Sequence, residues 1–545
     1  MGVPPYPWRW HDGGVIQVPL SVRSLEALAR LALELGPDAI GGPLAEPERA
    51  LARRALAEPP SEPVVIQEAR TLIQDGLDPL GDTYCVIRAP LERRPQGQFY
   101  TPRAILDPMV DWALATGPTR FVDPGCGSGR FAAAALRRDT HLEIVAIDTD
   151  PLATLMTRAA LAVRGAKNTR VLCGDYLTMR LPRHSGRTAW VGNPPYVRHH
   201  DLDPATKAWA ANVAHQLGLQ ISGLAGLHAL FFLATALHAQ PGDVGSFVTS
   251  AEWLDVGYGS IVRSLFTDGM GGRALDLVDP RAVPFEDAMT TALITCFEIG
   301  RTLGDVAIHL VNRPQDLARL EGGRLVAASE LAARTRWSGL FREIGSVNDT
   351  GQTLGDIARV HRGFVTGANG FFLMTRAEAA RRRLSAWVRP AITTAAEILG
   401  ADGVIHDTPK RRVVLDLPAD FDRAAHPAVD AYLRQGEASG VDRRYITTHR
   451  RPWWRLGVGA PAPIVASYMA RQAPRFALNP DGLALLNIGH GIYPRESMTF
   501  EQVRALCDAL NGGRSGFSGS GRTYHGGLEK FEPREMEALP IPALA

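Results

Sequence analysis

Apolar residues recur at helical spacing in LEALARLALEL and ERALARRALA, so residues 20–58 read as helices with one buried stripe. From 59 to 98 that periodicity lapses. Pro59-Pro60 and the stretch DPLGDTYCVIRAPLERRPQG predict a loop-rich approach to the next domain. At 99 the pattern changes again, and short apolar, β-branched runs alternate with helical stretches through residue 300. The candidate strands are TRFVD (119–123), EIVAID (143–148), TRVLCGD (169–175), TAWVGN (188–193), GSFVTS (245–250), ALDLVD (274–279) and TALITCFEI (291–299). The first five are separated by helical or loop segments, which predicts an α/β, doubly wound, mostly parallel sheet. Such sheets bind ligands beyond the carboxyl ends of their strands, so the polar residues that end these runs are the candidate site. Residues 301–345 read as a charged transition segment. Residues 346–545 are richer in Gly, Pro, Arg, Trp and Tyr and lack a regular period, which predicts a loop-heavy, mixed α+β unit. Three parts result: a short helical N-terminal extension (1–80), a wound α/β domain (81–330) and a recognition unit (346–545).

At 545 residues the chain is too long for one ordinary domain. With 45% hydrophobic and 21% charged residues it builds a normal core. No run of about 18 apolar residues is free of polar interruption, and Met1 to His11 shows no signal-peptide pattern. A cytoplasmic location with no membrane partner is expected. Five cysteines at 85, 126, 173, 296 and 507 form no CxxC pair, so no zinc site or disulfide framework is expected. The net charge of +2 is uneven: residues 351–545 hold 25 Lys+Arg against 19 Asp+Glu, leaving 34 against 38 elsewhere. A modest basic excess in one region fits polyanion binding. Nearly all of it is arginine, which suits bidentate contacts to phosphate and guanine, although a GC-rich genome gives the same bias.

Four constellations carry chemistry. Asp123-Pro124-Gly125-Cys126-Gly127-Ser128-Gly129 follows one strand and precedes the helical run RFAAAALRR. Its glycines let backbone approach a ligand closely. An acidic residue ahead of the glycines suits a ligand with a positive end, such as an amino-acid ammonium group, and would repel a pyrophosphate. Asp148 and Asp175 end the next two strands. One can accept hydrogen bonds from vicinal ribose hydroxyls and the other from an adenine amino group. The decisive constellation is Asn193-Pro194-Pro195-Tyr196 after the fourth strand. The lone pair of an aromatic amino group is delocalised into the ring, so acceptors must hold its hydrogens while the nitrogen attacks. Asn193 offers a side-chain carbonyl, Pro194 a backbone carbonyl with no N–H to interfere, and Tyr196 a flat face for a flipped-out base.

In this order, DPGCGSG, Asp148, Gly174-Asp175 and NPPY resemble the motif series of gamma-class, TaqI-like N6-adenine DNA methyltransferases. Gln98-Phe99-Tyr100-Thr101-Pro102 resembles the cofactor motif that precedes the glycine loop there. LGDIARVHRGFVTGANGFFL (354–373) and RTYHGGLEKFEPREMEALPIP (522–542) resemble the two ends of a C-terminal target-recognition domain. The resemblance implies a seven-stranded class I methyltransferase domain that uses S-adenosyl-L-methionine. Phe99, Tyr100, Thr101, Asp123, Gly125 and Gly127 would bind its methionine part, Asp148 its ribose and Asp175 its adenine. Asn193, Pro194 and Tyr196 would hold the target adenine, with Phe285 on the base's other face. In the recognition unit Arg362, Thr366, Asn369, Arg450, Arg451, Trp453 and Trp454 are the candidate DNA contacts; His449 to Arg455 interleaves aromatic and basic residues, and a packed loop would read the same way.

The sulfonium leaving group is positively charged, so proximity and alignment do most of the work and no metal is expected. Double-stranded DNA is the expected partner, bound by a monomer. A cognate restriction enzyme or other defence-system subunits are candidate partners in a restriction–modification or phage-defence setting. No lysine precedes Lys167 to complete a nuclease centre, so modification without cleavage is expected. A glutamine-amide methyltransferase also uses NPPY but is much shorter. Two alternatives stay open: an RNA adenine methyltransferase, and the methyltransferase subunit of a larger restriction complex.

Overall fold

In a computed structural model the chain divides between Phe341 and Arg342 into two units. The structure describes residues 20–37, 40–93, 97, 100–279, 282, 291–341, 352–470, 473–517, 522–524 and 528–541.

The first unit begins with helices α1 (Leu25–Glu34), α2 (Glu46–Ala55), α3 (Pro63–Gln74), α4 (Pro79–Ile87) and the short α5 (Pro90–Arg93). Ser24 caps α1 by accepting from the Ala27 amide at 3.0 Å. The loop expected over 59–98 is thus largely helical. Pro63 and Pro79 open α3 and α4, where a missing N–H is no loss, and Asp78 caps α4 through the Gly81 amide at 2.9 Å. Leu28, Leu31, Leu51, Ile73, Leu80 and Tyr84 share one core with Leu152, Leu155, Met156 and Ala159. These last four lie on α8 (Pro151–Val163), which follows α6 (Arg103–Leu114) and α7 (Arg130–Arg138).

A fully buried ion pair pins the N-terminal helices: Arg158 Nε donates to Glu48 Oε1 at 2.8 Å. The same guanidinium donates to the carbonyls of Ile40 (2.6 Å), Gly42 (2.7 Å) and Val171 (2.8 Å). Glu48 Oε2 also accepts from the Ala45 amide at 2.7 Å, capping α2.

Strands β1 (Arg120–Pro124), β2 (Glu143–Asp148), β3 (Thr169–Cys173), β4 (Thr188–Gly192), β5 (Val244–Ser250), β6 (Gly272–Val278), β7 (Ala292–Glu298), β8 (Val306–Val311) and β9 (Arg324–Val326) form one sheet. Its order is β3-β2-β1-β4-β5-β7-β6-β8-β9. The first five run parallel, β7 inserts antiparallel between β5 and β6, and β8 lies parallel to β6. The sheet has nine strands rather than the seven expected. The segment read as a charged transition supplies β8 and β9, because the run VAIHLV pairs in parallel with β6 and buries Val306, Ala307, Ile308 and Val311. Helices α9 (Pro204–Gln216), α10 (Leu227–His238) and α11 (Ser260–Asp268) follow β4 and β5. Trp190, Phe232, Phe247, Trp253 and Phe297 fill the core on that side of the sheet.

The second unit is mixed α+β. A four-stranded antiparallel sheet comprises Ala358–Arg362, Gly489–Pro494, Ile464–Ser467 and Phe476–Leu478 in that order. A second four-stranded sheet, Leu373–Met374, Val413–Leu415, Val388–Ile392 and Ala484–Leu485, ends in a parallel pair. A three-stranded sheet of Met469–Ala470, Leu528–Lys530 and Arg522–Tyr524 completes it.

Candidate active site

The carboxyl tips of β1 to β4 converge on one cavity of about 520 Å3. The loop after β1 turns on Gly125 (φ 73°), Gly127 (φ 54°) and Gly129 (φ 84°), a left-handed backbone that a side chain resists. The Gly125 and Cys126 amides donate to the Ile147 carbonyl at 2.8 and 2.9 Å, which ties the loop to β2. A Cβ on Gly125 would reach 3.6 Å from Phe231 and from Pro195, and 4.0 Å from the Asn193 carbonyl. The glycine turn and the Asn193–Pro195 segment therefore lie close together in the cavity wall.

Asp148, at the tip of β2, accepts from the Gly127 amide at 2.9 Å and from the Asp150 amide at 2.9 Å. Burial pushes its carboxyl up to about 6, against the pull of these two amides. Each oxygen keeps a lone pair for a ligand hydroxyl. Asp175 sits beyond β3, fixed by the Leu177 amide at 3.0 Å. Asp148, Asp175, Asn193, Pro195, Tyr100, Thr101, Gly125 and Gly127 all line the cavity.

Asp123 does not. It is fully buried, and its Oδ2 accepts from the Ala132 amide at 3.2 Å in the first turn of α7. Burial raises its carboxyl to about 8, so it is neutral at pH 7. Asp123, expected to meet a ligand's positive end, lies off the cavity lining, with its Oδ1 buried and without a hydrogen-bond partner. Pro194 is buried and its ring is off the cavity wall. Phe99 and Phe285 lie outside the described residues.

Tyr196 is half-buried, and its amide donates to the Gly97 carbonyl at 3.2 Å. Its ring stacks on His228, with centroids 6.1 Å apart and planes 30° from parallel. Tyr258 meets His228 edge-on at 6.4 Å and donates from its hydroxyl to Glu252 at 2.9 Å. Burial lowers the His228 imidazole to about 4, so it is neutral. Sequence reading did not single out His228, nor Tyr84 and Arg88 of the α4 segment, which form part of the cavity wall. The only trace of the latter was the Asp78-Pro79 helix start.

The second unit treats the expected DNA contacts unequally. Arg450 donates to the Thr366 carbonyl at 2.9 Å and to the Val365 carbonyl, so its guanidinium holds a loop. Thr366 is buried and donates to Asn369. Trp453 packs on Phe371 at 5.7 Å and donates to Glu437 at 3.3 Å, and Arg423 covers Trp454 at 5.3 Å. Arg450, Thr366, Trp453 and Trp454 thus have partners within the protein, while Asn369 is exposed. The two adjacent indoles are partly buried against the core of this unit. Arg362 is exposed but paired with Glu532, and Arg451 is exposed, donating to the Thr448 carbonyl at 2.8 Å.

A sheet of order 3-2-1-4-5-7-6 at its heart, with a glycine turn after β1, carboxylates after β2 and β3, and NPPY after β4, defines a class I methyltransferase domain. Comparisons with known proteins narrow this class. Residues 76–217 match the N-6 DNA Methylase family model, and residues 335–545 match the Type II methyltransferase M.Eco57I, C-terminal domain model. The chain is 42% identical over 472 residues to Type II methyltransferase M.XamI of Xanthomonas campestris pv. amaranthicola, covering 86% of this chain and 87% of that one. It is 24% identical over 466 residues to Type II methyltransferase M.AccI of Acinetobacter calcoaceticus, covering 82% and 85%. The solved type IIL restriction-modification enzyme MmeI, in complex with DNA, shares the fold at a TM-score of 0.56 and 14% identity, covering 95% of this chain and 79% of that one. The chain belongs to the type II, N6-adenine DNA methyltransferases of restriction–modification systems. It is an enzyme of a class that uses S-adenosylmethionine, and among its described residues no helix is long and apolar enough to cross a membrane.

Proposed function

We propose that this chain transfers a methyl group from S-adenosylmethionine to N6 of an adenine flipped out of a specific site in duplex DNA, as a cytoplasmic modification enzyme. The observation that carries the reading is the approach of the NPPY segment to the glycine turn. Asn193 and the glycine turn line one cavity, where Asn193 with the Pro194 carbonyl would accept an amino group's hydrogens and the turn would cradle a sulfonium donor. The cavity suits such a cofactor. Its volume is in the range of cofactor sites, and Gly125 and Gly127 line it without a side chain. Thr101 and Tyr100 would hold the methionine part, Asp148 the ribose hydroxyls and Asp175 the adenine. When bound, the cofactor supplies an electrophilic methyl group on a positively charged sulfur.

The chain's own residues do the rest. The Asn193 side-chain carbonyl and the Pro194 backbone carbonyl accept the two amino hydrogens of the base. That frees the nitrogen lone pair from the ring and directs it at the methyl group. Tyr196 presents one face for stacking, worth about 1–3 kcal/mol per base, and His228 backs it from behind. The proton leaves the alkylated nitrogen toward Asn193 and solvent. Duplex DNA, with the second unit reading its sequence, is favoured over RNA by the kinship of that unit to M.Eco57I-type C-terminal domains.

Asn193→Ala tests the reading. Methyl transfer from tritiated cofactor to DNA is expected to fall by at least 1000-fold while cofactor affinity stays within about threefold. Near-normal turnover would refute it.

A further inference from the structure

Arg130, the first residue of α7, joins three separate stretches of chain. Its Nε donates to Asp78 Oδ2 at 2.5 Å and its Nη2 to Asp82 Oδ1 at 2.6 Å, both on the α4 segment. Its Nη1 donates to the Thr101 carbonyl at 3.3 Å, and its guanidinium lies over the Tyr100 ring at 4.8 Å. Ser128, within the glycine turn, donates from its hydroxyl to the same Asp78 oxygen at 2.5 Å. The approach is close. A Cβ on Gly81 would stand 2.1 Å from Asp78 Oδ2 and 2.5 Å from Ser128 Oγ, so a side chain there would displace the Asp78–Ser128 contact. Burial opposes the charge on Arg130, but Asp78 and Asp82 more than offset it and hold the group cationic.

The glycine turn is pinned at its other side by Asp148 and by Thr157, whose hydroxyl donates to the Gly127 carbonyl at 3.0 Å. Three left-handed glycines in five residues would otherwise leave it many conformations to lose on binding a ligand. We propose that Asp78, Asp82 and Arg130 are positioning residues for cofactor binding, and that α4 is thereby a structural part of the cofactor site. This rests on the reading of the cavity given under Proposed function. Asp78 fastens the turn at Ser128 and, through Arg130, aligns Tyr100 and Thr101 against Gly127. A protein in which this clamp is loosened populates the binding-competent turn less, and its apparent affinity falls by that fraction.

The test is calorimetric titration of S-adenosylhomocysteine into the full chain and into Asp78→Asn, Arg130→Lys and Ser128→Ala. Arg130→Lys keeps the charge but lacks the fork that reaches both carboxylates and the Thr101 carbonyl. Asp78→Asn and Arg130→Lys are each expected to weaken binding about tenfold or more, and Ser128→Ala about threefold. The double variant of Asp78 and Arg130 is expected to be no weaker than the worse single. KM for the cofactor rises in step, while kcat at saturation changes by less than threefold. A merely structural ion pair would lower the melting temperature and leave these affinities alone. Binding within twofold of the natural chain in folded Asp78→Asn and Arg130→Lys would overturn the proposal. If those two do not fold, an unchanged affinity in Ser128→Ala would overturn it. Failure of the natural chain to bind S-adenosylhomocysteine would sink the cofactor reading itself.

Discussion

Glu48→Leu removes one partner of the buried pair with Arg158 and leaves a cation with no counter-charge in a fully buried site. Losing one side of a buried ion pair costs about 3–5 kcal/mol. The remaining acceptors, the carbonyls of Ile40, Gly42 and Val171, satisfy guanidinium hydrogens but not its charge. The background decides the sign. In Arg158→Leu the cation is gone, and Glu48 becomes the isolated buried charge. There, Glu48→Leu should cost only the cap it gives Ala45, about 1 kcal/mol, or even stabilise. The four proteins form a double-mutant cycle with an expected coupling of about 2–4 kcal/mol. Urea unfolding by circular dichroism gives the differences. Because the chain has two units, hydrogen exchange in α2 and α8 should be followed alongside. If Glu48→Leu costs the same in both backgrounds to within about 0.5 kcal/mol, the pair is not coupled and the reasoning fails.

Five further outcomes are expected. Asp123→Asn should leave S-adenosylhomocysteine affinity within about threefold, since a neutral carboxyl already accepts the Ala132 amide; a tenfold loss by calorimetry would restore Asp123 as a charged ligand. Because the Asp123 pKa is raised on folding, the natural chain should also lose stability relative to this variant as pH rises from about 4 toward 8. His228→Phe should remove the reverse dependence: the histidine's folded pKa of about 4 lies below the unfolded 6.5, so its contribution is present above 6.5 and lost as pH falls through that window, readable as melting temperature against pH. His228→Ala should slow methyl transfer by about 2–12-fold through loss of the ring behind Tyr196, worth about 0.5–1.5 kcal/mol, with cofactor affinity unchanged in titration. Arg450→Ala should cost about 1–3 kcal/mol of stability and leave the salt slope of DNA binding as it was; a slope reduced by about one would mark a phosphate contact instead.

The wound sheet was legible because each strand tip carries its chemistry within a few residues of an apolar run. Glycine turn, Asp148, Asp175 and NPPY are local patterns, and sheet topology brings local patterns together at one edge. What escaped was non-local. VAIHLV looked like part of a charged segment, because only β6 explains why it is a strand. The stretch 59–98 looked like loop, because its prolines open helices whose apolar faces are completed by α8, about 80 residues later. Asp123 has the right type and position for a ligand group, and only the fold shows that the Ala132 amide occupies one of its oxygens. In the second unit a run of Arg and Trp has the same composition whether it faces solvent or fills a core.

The amide of Val171 on the edge strand β3 donates to the Gly41 carbonyl at 3.0 Å, so one rung of that edge is occupied by the chain segment between α1 and α2. The N-6 methylase match starts only at residue 76, and trimming the protein to that boundary would strip this cover away. The bared rung would then offer hydrogen-bonding groups to any passing chain, a template for self-association. A fragment designed on motif boundaries alone should therefore precipitate, whereas one that retains residues 20–75 keeps the rung sealed.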